Sequence, residues 1–421
     1  MRTERGPLEL GGVSATELAS AYGTPLLVLD TEILDANLER FARAGTRLGI
    51  DICYAGKALL FVALARRIAA AGLGIDVCSL GELLTAERAG VAAARLVMHG
   101  CGKTDVELDA IANGRVGRVV IDNEHELAAL AARARAERPV DVLLRVNTGI
   151  EAHTHAYVRT GGEDSKFGFA LETLDDAIAL ARASAGLRLV GVHAHLGSQL
   201  FDADPYVASV PILIDAFARM HASGAPVRDV IVGGGFGVDA RPEGDNLDVG
   251  ATLLRITNAL KHEATERNLP LAHVGIEPGR SIVASAGTSL YRVAAIKRQG
   301  ARRFAIVDGG IADNPRPALY GAYHHPFLAS RGSDAAPEEF TVCGRSCEND
   351  TLVVAPLPSD LAAGDLLGLG TTGAYTYSMA SNYNRFPKPA IVFVGAGAHR
   401  LAVRRERDDE TLRYDVIDDP A

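Results

Sequence analysis

Residues 51–78 read DICYAGKALLFVALARRIAAAGLGIDVC. A short apolar run, Asp51–Ala55, is followed by LLFVALARRIAAAGL, whose apolar residues recur at helical spacing, and then by a second short run, Gly74–Cys78. That is a strand, a helix and a strand. Working outward, the pattern repeats. Further strands are expected at Leu96–His99, Arg118–Ile121, Asp141–Val146, Leu189–His195, Asp229–Val232 and His273–Glu277. Several are near-continuous Val/Ile/Leu runs, as a sheet buried on both faces requires. Between them EHELAALAARARAE (124–137), TLDDAIALARAS (173–184) and the long segment Val249–Asn268 read as helices. Eight β–α repeats with short connections favour a (β/α)8 TIM-like barrel; a doubly wound open sheet is the runner-up. One connection is long, NTGIEAHTHAYVRTGGEDSKFGF (147–169). A polar, Gly-rich stretch of that length inside a compact domain marks a functional loop.

After about residue 282 the texture changes. SLYRVAAIKRQ, RFAIVDGG, EFTVCG, DTLVVAPL, DLLGLG and AIVFVGAG follow one another as strand-like runs with few helical patterns. This predicts an α/β barrel followed by an all-β domain. The run PLLVLD (25–30) is one more strand ahead of the first barrel helix, and it lets the N-terminus join the β domain. The boundaries drawn are 26–280 for the barrel, with 1–25 and 281–421 as the β domain.

The 421 residues suit two or three domains, and 48% hydrophobic with 23% charged residues is an ordinary globular balance. A net charge of -9 argues against a nucleic-acid partner, which needs a basic face. No apolar run is long enough for a membrane span, and MRTERGPLELGG lacks the apolar core of a secretory signal. The cysteines, Cys53, Cys78, Cys101, Cys343 and Cys347, are odd in number and sparse, which fits free thiols in a cytoplasmic enzyme. Lysine is scarce, which shortens the candidates for lysine chemistry to Lys57, Lys103, Lys166, Lys261, Lys297 and Lys388.

In such a barrel the chemistry sits at the C-terminal strand ends. The first strand ends at Lys57. The second carries Asp76 and Ser79, with Glu82 one turn on. The third ends at His99, and the fifth at Arg145 and Asn147. The sixth carries His193, His195 and Ser198. The seventh ends at Gly233, Gly234 and Gly235, and the eighth at Glu277 and Arg280. A lysine at a buried strand end has its pKa lowered by desolvation, which suits a Schiff base. A glycine run brings bare N–H groups to a phosphate. A carboxylate holds a protonated pyridine nitrogen. Together they suggest pyridoxal phosphate, against the plainer reading of a barrel with unrelated chemistry.

GCGKT (100–104) ends like a phosphate loop, but the first glycine of that motif falls at Val97. GGGFGV (233–238) has Val238 where a dinucleotide loop needs its last glycine. His153/His155 and His193/His195 share strand faces, yet no cysteine or carboxylate set completes a tetrahedral site, so no metal is expected. Cys343 and Cys347 lack a second pair for zinc, and His324 and His325 read as loop surface.

The segments CYAGKALL, GIDVCSLGEL, EAHTHAYVRTG with DSKFGF, HAHLGSQLFD, GGGFGV, IEPGRSIV, DNPRPALYGAY, CEND and GAYTYSMASNYN, in this order, cover about residues 20 to 400. On them the chain resembles the fold-type III pyridoxal-phosphate decarboxylases, and within them those acting on diaminopimelate. The resemblance implies an alanine racemase-like barrel with a β-sandwich or β-barrel domain. It implies the cofactor pyridoxal 5'-phosphate, an amino-acid substrate, and decarboxylation of meso-2,6-diaminopimelate to L-lysine. Lys57 would form the Schiff base, His195 would stack on the ring and Glu277 would pair with its nitrogen. Gly234, Gly235, Ser198 and Tyr375 would bind the phosphate, with Asp76 and Arg145 as orienting residues. Arg280, Arg316 and Tyr320 would hold the distal carboxylate, and Glu348 the distal amino group. Cys347 would return a proton to the α-carbon. Two arginines suit a carboxylate through bidentate bonds, and a carboxylate suits an ammonium. His99 is left open between an orienting residue and a core histidine; Tyr383 and Asn384 read as packing residues. The family also implies a homodimer, with the cysteine loop reaching a neighbour's barrel.

Where the family commonly reads CESGD, this chain reads Cys347-Glu348-Asn349-Asp350-Thr351. Cysteine and glutamate survive, and the altered loop bears on substrate choice. The competing readings are a related decarboxylase acting on ornithine, lysine or a modified amino acid, an alanine racemase, and a non-catalytic regulatory homologue. Arg280 and Arg316 argue against substrates lacking a distal carboxylate. CEND and DNPRPALYGAY argue against the racemase. The presence of Lys57, the glycine run and Cys347 argues against the regulator.

Overall fold

A computed structural model describes residues 6–150, 165–244 and 247–416. His153, His155 and most of the long connection lie outside the described residues. The chain divides into two units. One is Asn37–Val238 with Asp245–Ser281; the other is Met1–Ala36, Asp239–Gly244 and Ile282–Ala421. Among the described residues no helix is long and apolar enough to cross a membrane.

The second-named unit starts with a small hairpin of β1 (Glu9–Leu10) and β2 (Val13–Ser14), followed by β3 (Leu26–Asp30). The barrel then runs through β4 (Asp51–Ala55), β5 (Gly74–Val77), β6 (Leu96–Met98), β7 (Arg118–Ile121), β8 (Val140–Arg145), β9 (Leu187–His193), β10 (Asp229–Ile231) and β11 (His273–Ile276). These eight strands close into an all-parallel barrel, β11 pairing back onto β4. All eight sequence-predicted strands are present, with ends shifted by at most two residues. The open-sheet alternative is overturned by that closure, since an open sheet would leave β4 and β11 unpaired.

The interior is packed. Val97, Val120, Leu143, Val190 and Ile231 form a buried layer, with Cys53 against it. They come from β6, β7, β8, β9 and β10, so side chains fill the barrel as its taper requires. Helices start where local polar chemistry dictates. Ser79 Oγ accepts from Glu82 N at 3.2 Å, Asn123 Oδ1 from Glu126 N at 2.9 Å, and Asp248 Oδ1 from Ala251 N at 3.0 Å. Each satisfies a donor that the first helical turn leaves unpaired. Ser79 and Glu82 are therefore helix-start residues: Ser79 opens the helix Leu80–Arg88, and Glu82 Oε2 accepts from Cys78 N at 2.6 Å. The GCGKT stretch has a structural use as well. Thr104 caps the helix Asp105–Ala112 reciprocally with Glu107, while Lys103, almost fully buried, pairs with Glu126 and donates to the carbonyls of Gly100 and Val120 at 2.9 and 2.7 Å.

Glycine matters where strands cross closely. A Cβ on Gly191 would overlap the carbonyl oxygen of Asp229 on the neighbouring strand. At the opposite, N-terminal end of the barrel a cavity of about 670 Å³ is lined by Asp51, Arg95, Arg118 and His273 among others. Arg118 there is paired with Asp229 at 3.2 Å. This is the end that carries stability in barrels rather than chemistry.

The β unit is built on β12 (Gly287–Gln299), a 13-residue strand. With β13 (Arg302–Val307), β14 (Pro326–Leu328), β15 (Pro337–Cys343), β16 (Thr351–Pro358), β17 (Leu366–Gly370), β18 (Ala390–Gly395) and β19 (Ala398–Val403) it makes a sheet ordered β16-β15-β13-β12-β3-β18-β19, with β17 on β12 and β14 on β17. Alternation along β12 feeds two cores. Tyr291 and Val293 join Val307, Phe340, Val342 and Leu369, whereas Leu290 joins Leu18, Leu26, Val28 and Val392. The boundary drawn at residue 26 falls short here. Leu26–Asp30 pairs with both β12 and β18, so backbone hydrogen bonding ties it to the β sheet and the barrel unit begins at Asn37.

Candidate active site

The barrel's C-terminal strand ends bring the polar residues of several strands together. Lys57 lies on a single 3-10 turn, Gly56–Ala58, just after β4. Its side chain is exposed, so the burial expected for it from the sequence is not supplied by the surrounding protein. Asp76 sits within β5, 4% exposed, and neither carboxylate oxygen has a hydrogen-bond partner. His99 follows β6, His193 ends β9, and Glu277 follows β11.

These four make one buried cluster. His193 Nε2 lies 3.1 Å from Glu277 Oε2, while His99 Nε2 lies 3.3 Å from Glu277 Oε1 and 3.6 Å from Asp76 Oδ1. The two imidazoles meet edge to face with centroids 5.1 Å apart. An ionised carboxylate only accepts, so His193 donates through Nε2. Burial raises the Glu277 carboxyl, but His193 and His99 beside it outweigh this and hold it well below the usual carboxylate range. Burial lowers His99, yet Glu277 and Asp76 push it up to about 9. Burial brings His193 down to about 4 despite Glu277. Burial and the neighbouring Glu277 charge lift Asp76 to about 6 against the pull of His99 and Lys57. At neutral pH Glu277 is thus an anion between a cationic and a neutral imidazole. Donor atoms of His99, His193 and Glu277 lie within 4.8 Å of one another. The nitrogen of His193 nearest the carboxylate is engaged in donating to it, which is the arrangement of an orienting hydrogen bond.

His195 lies two residues past the end of β9. Burial drives its imidazole well below its ordinary value, so the ring is neutral. Its Nδ1 accepts from Gly234 N at 3.3 Å. Around it the glycines allow a close approach of loops. Gly233 and Gly235 have φ of 79° and 100°, which favours glycine. A Cβ on Gly234 would overlap the carbonyl of Glu277, and one on Gly235 the carbonyl of Gly197. Ser198 Oγ accepts from Arg280 Nη2 at 3.1 Å, which places a guanidinium beside this loop pair. Arg145 pairs with Asp122 at 3.4 Å, its guanidinium 4.3 Å from the Phe167 ring centre. Gly234→Ala is expected to cost about 1–3 kcal/mol through overpacking and to weaken cofactor retention; thermal unfolding and a pyridoxal-phosphate titration check both.

The β unit collects the remaining residues in two groups. Arg316 opens the short helix Arg316–Tyr320 and is 6% exposed, with its guanidinium 5.2 Å from the Tyr320 ring centre and 5.5 Å from that of Tyr375. Tyr375 has a left-handed backbone, φ 61°. That is costly for a bulky residue and typical of functional segments. Cys347 and Glu348 are exposed on the loop before β16. Asp350, 3% exposed, anchors that loop by accepting from Ser346 Oγ at 2.8 Å and Ile311 N at 3.2 Å. Tyr383 Oη donates to Glu348 Oε1 at 2.5 Å, and Asn384 Oδ1 accepts from Cys347 N at 3.4 Å. Tyr383 and Asn384, read from the sequence as packing residues, are polar supports of the Cys-Glu loop. His193, set aside with the metal pairs, belongs to the Glu277 cluster. Its alternation with His195 on one strand end was the signal.

The glycine-crowded loop pair and the two orphaned oxygens of Asp76 fit a phosphorylated, ring-bearing cofactor better than a bare substrate pocket. The family model "Pyridoxal-dependent decarboxylase, pyridoxal binding domain" matches residues 34–284. The diaminopimelate decarboxylase of Actinosynnema pretiosum subsp. auranticum is 44% identical over 99% of this chain and 94% of its own length. That of Bacillus subtilis strain 168 is 39% identical over 99% and 96%. Among solved structures, diaminopimelate decarboxylase from Helicobacter pylori complexed with L-lysine superposes with a TM-score of 0.87 at 31% identity, covering 94% of this chain and 98% of that one. By these measures the chain belongs to the diaminopimelate decarboxylase family of pyridoxal-dependent decarboxylases.

Proposed function

We propose that the protein decarboxylates meso-2,6-diaminopimelate to L-lysine and carbon dioxide with pyridoxal 5'-phosphate. The observation that carries this is Glu277 held as an anion by two histidines at the same strand-end mouth as Lys57 and the glycine loops. The near-full-length identity to diaminopimelate decarboxylases supports the substrate. The L-lysine of the Helicobacter pylori complex is the product this reading predicts here.

When bound, the cofactor supplies an electron sink for the pair left on the α-carbon as carbon dioxide departs. Lys57 would carry it, His195 would lie against its ring, and Gly234, Gly235, Ser198 and Tyr375 would bind its phosphate. Glu277, kept ionised, would pair with the ring nitrogen. Arg280, Arg316 and Tyr320 would hold the distal carboxylate and Glu348 the distal ammonium, the latter oriented by Tyr383. Cys347 would return a proton to the α-carbon. We further infer a cytoplasmic homodimer. Its support is the exposure of Cys347 and Glu348, since a proton donor to a carbanion works in a site that excludes water. Light scattering in solution tests the dimer.

The test of the reaction is product analysis. Purified protein with added pyridoxal phosphate is incubated with meso-diaminopimelate, and in parallel with ornithine, lysine and arginine. Lysine and carbon dioxide are expected from diaminopimelate alone. A yellow protein that leaves diaminopimelate untouched would retain the cofactor and overturn the substrate, directing attention to Asn349 in the altered loop.

A further inference from the structure

The loops after β9 and β10 are laced together just beyond the residues proposed to hold the phosphate. Leu200 N donates to Gly235 O at 3.0 Å and Gly237 N to Leu200 O at 2.8 Å, a short parallel bridge between the two loops. Gln199 lengthens that bridge with its side chain. Its Nε2 donates to Val238 O at 3.1 Å, and its Oε1 accepts from Val238 N at 3.1 Å. One amide thus pairs with both backbone groups of a single residue, as a neighbouring strand would. Gln199 does this from a left-handed backbone, φ 64°. Glycine, and at lower cost asparagine, takes that conformation readily; for glutamine it is strained, as functional segments often are. From within the barrel unit Tyr206, fully buried and stacked on Phe236 with centroids 5.4 Å apart, donates from Oη to Gly234 O at 2.9 Å. A trans peptide is planar, with its N–H opposite its C=O. Holding the Gly234 carbonyl therefore aims the Gly235 N–H the other way, and the bond from Leu200 N to Gly235 O does the same for the Phe236 N–H.

We propose that Gln199 is a positioning residue for the phosphate of pyridoxal 5'-phosphate: its amide clamps the glycine loop to the Ser198 loop and keeps their donors converging on one point. This rests on the reading above that Ser198, Gly234 and Gly235 bind the phosphate. A phosphate is recognised by several N–H and O–H donors at once, so its affinity depends on the two loops being held together before it arrives. Without the amide the side-chain rung at Val238 is lost, and with it the tie that holds Gln199 in its left-handed turn. Ser198, the adjacent residue, is then no longer fixed against the glycines. The ring and the aldehyde carbon of the cofactor are held by other residues on that reading, Lys57, His195 and Glu277. Loss of the clamp therefore falls on the phosphate.

The experiment titrates the full chain, freed of cofactor, with pyridoxal phosphate and separately with pyridoxal, which has the same ring and aldehyde but no phosphate. Visible absorbance gives both dissociation constants, and their ratio is the readout. Gln199→Gly removes the amide while easing the backbone. It is expected to lower the preference for the phosphorylated form by about tenfold, as the loss of one or two hydrogen bonds does, and to leave pyridoxal affinity within about twofold of wild type. Gln199→Asn accepts the left-handed turn and keeps an amide one methylene short of Val238. It should lower the ratio in the same direction, and it serves if the glycine variant does not fold. A wild-type ratio in the Gln199 variants would overturn the proposal. So would equal losses for the two ligands, since that is what a merely structural support gives. Ser198→Ala separates the proposal from the reading beneath it. If it too leaves the ratio at the wild-type value, the phosphate is held elsewhere and the proposal falls with that reading. If it lowers the ratio while the Gln199 variants do not, only the role of Gln199 is wrong.

Discussion

Replacing Lys57 by alanine is expected to give a folded, colourless protein that turns over diaminopimelate on the order of 10³–10⁴-fold more slowly, or not at all. On the proposed reading the amine would be the nucleophile that holds the cofactor carbonyl. Lys103 is committed to a buried pair with Glu126 and two carbonyls. Folding should survive, because Lys57 is exposed on a one-turn helix and contributes little to the core. The checks are the visible absorbance after gel filtration with excess cofactor, the melting temperature, and turnover. Retention of both the yellow Schiff-base absorbance and full turnover would show that the cofactor lysine lies elsewhere.

Glu277→Gln is expected to lower kcat by about 10²–10³-fold with a much smaller change in KM. The amide keeps the shape but removes the anion. If Glu277 pairs with the ring nitrogen as proposed, the amide would remove that counter-charge, and the loss would fall on the transition state rather than on binding. The substitution has a second signature. His99 is raised to about 9 largely through Glu277 and Asp76, so in the wild type it contributes stability that is complete below its unfolded value near 6.5 and is lost as pH rises through about 9. With glutamine at 277 that dependence should shrink, since one of the two carboxylates is gone. Unfolding measured between pH 6 and 10 on both proteins checks this. An unchanged kcat would remove Glu277 from the chemistry.

Much of the architecture is written in local patterns. Arg118–Ile121 and Asp51–Ala55 are strands to the residue, because consecutive β-branched and apolar side chains suit a sheet buried on both faces. The helix starts at Ser79, Thr104 and Asn123 follow from short-range side-chain capping. Because a closed parallel barrel places every C-terminal strand end at one mouth, Lys57, Asp76, His195, Gly234 and Glu277 could be gathered by counting strands. Other features depend on partners distant in the chain. Leu26–Asp30 shows its strand character locally but not that β12 and β18 are its neighbours. Ser79 and Glu82 are polar at a strand end yet serve a helix, a distinction made by backbone direction alone. His99 and His193 are 94 residues apart and His193 and Glu277 are 84 apart, and whether an imidazole is neutral or cationic is set by the carboxylates and burial around it. Tyr383 and Glu348 likewise meet across 35 residues. Periodicity and capping act within a turn or a strand, whereas charge state and orientation are long-range properties that arise once folding brings these side chains into contact.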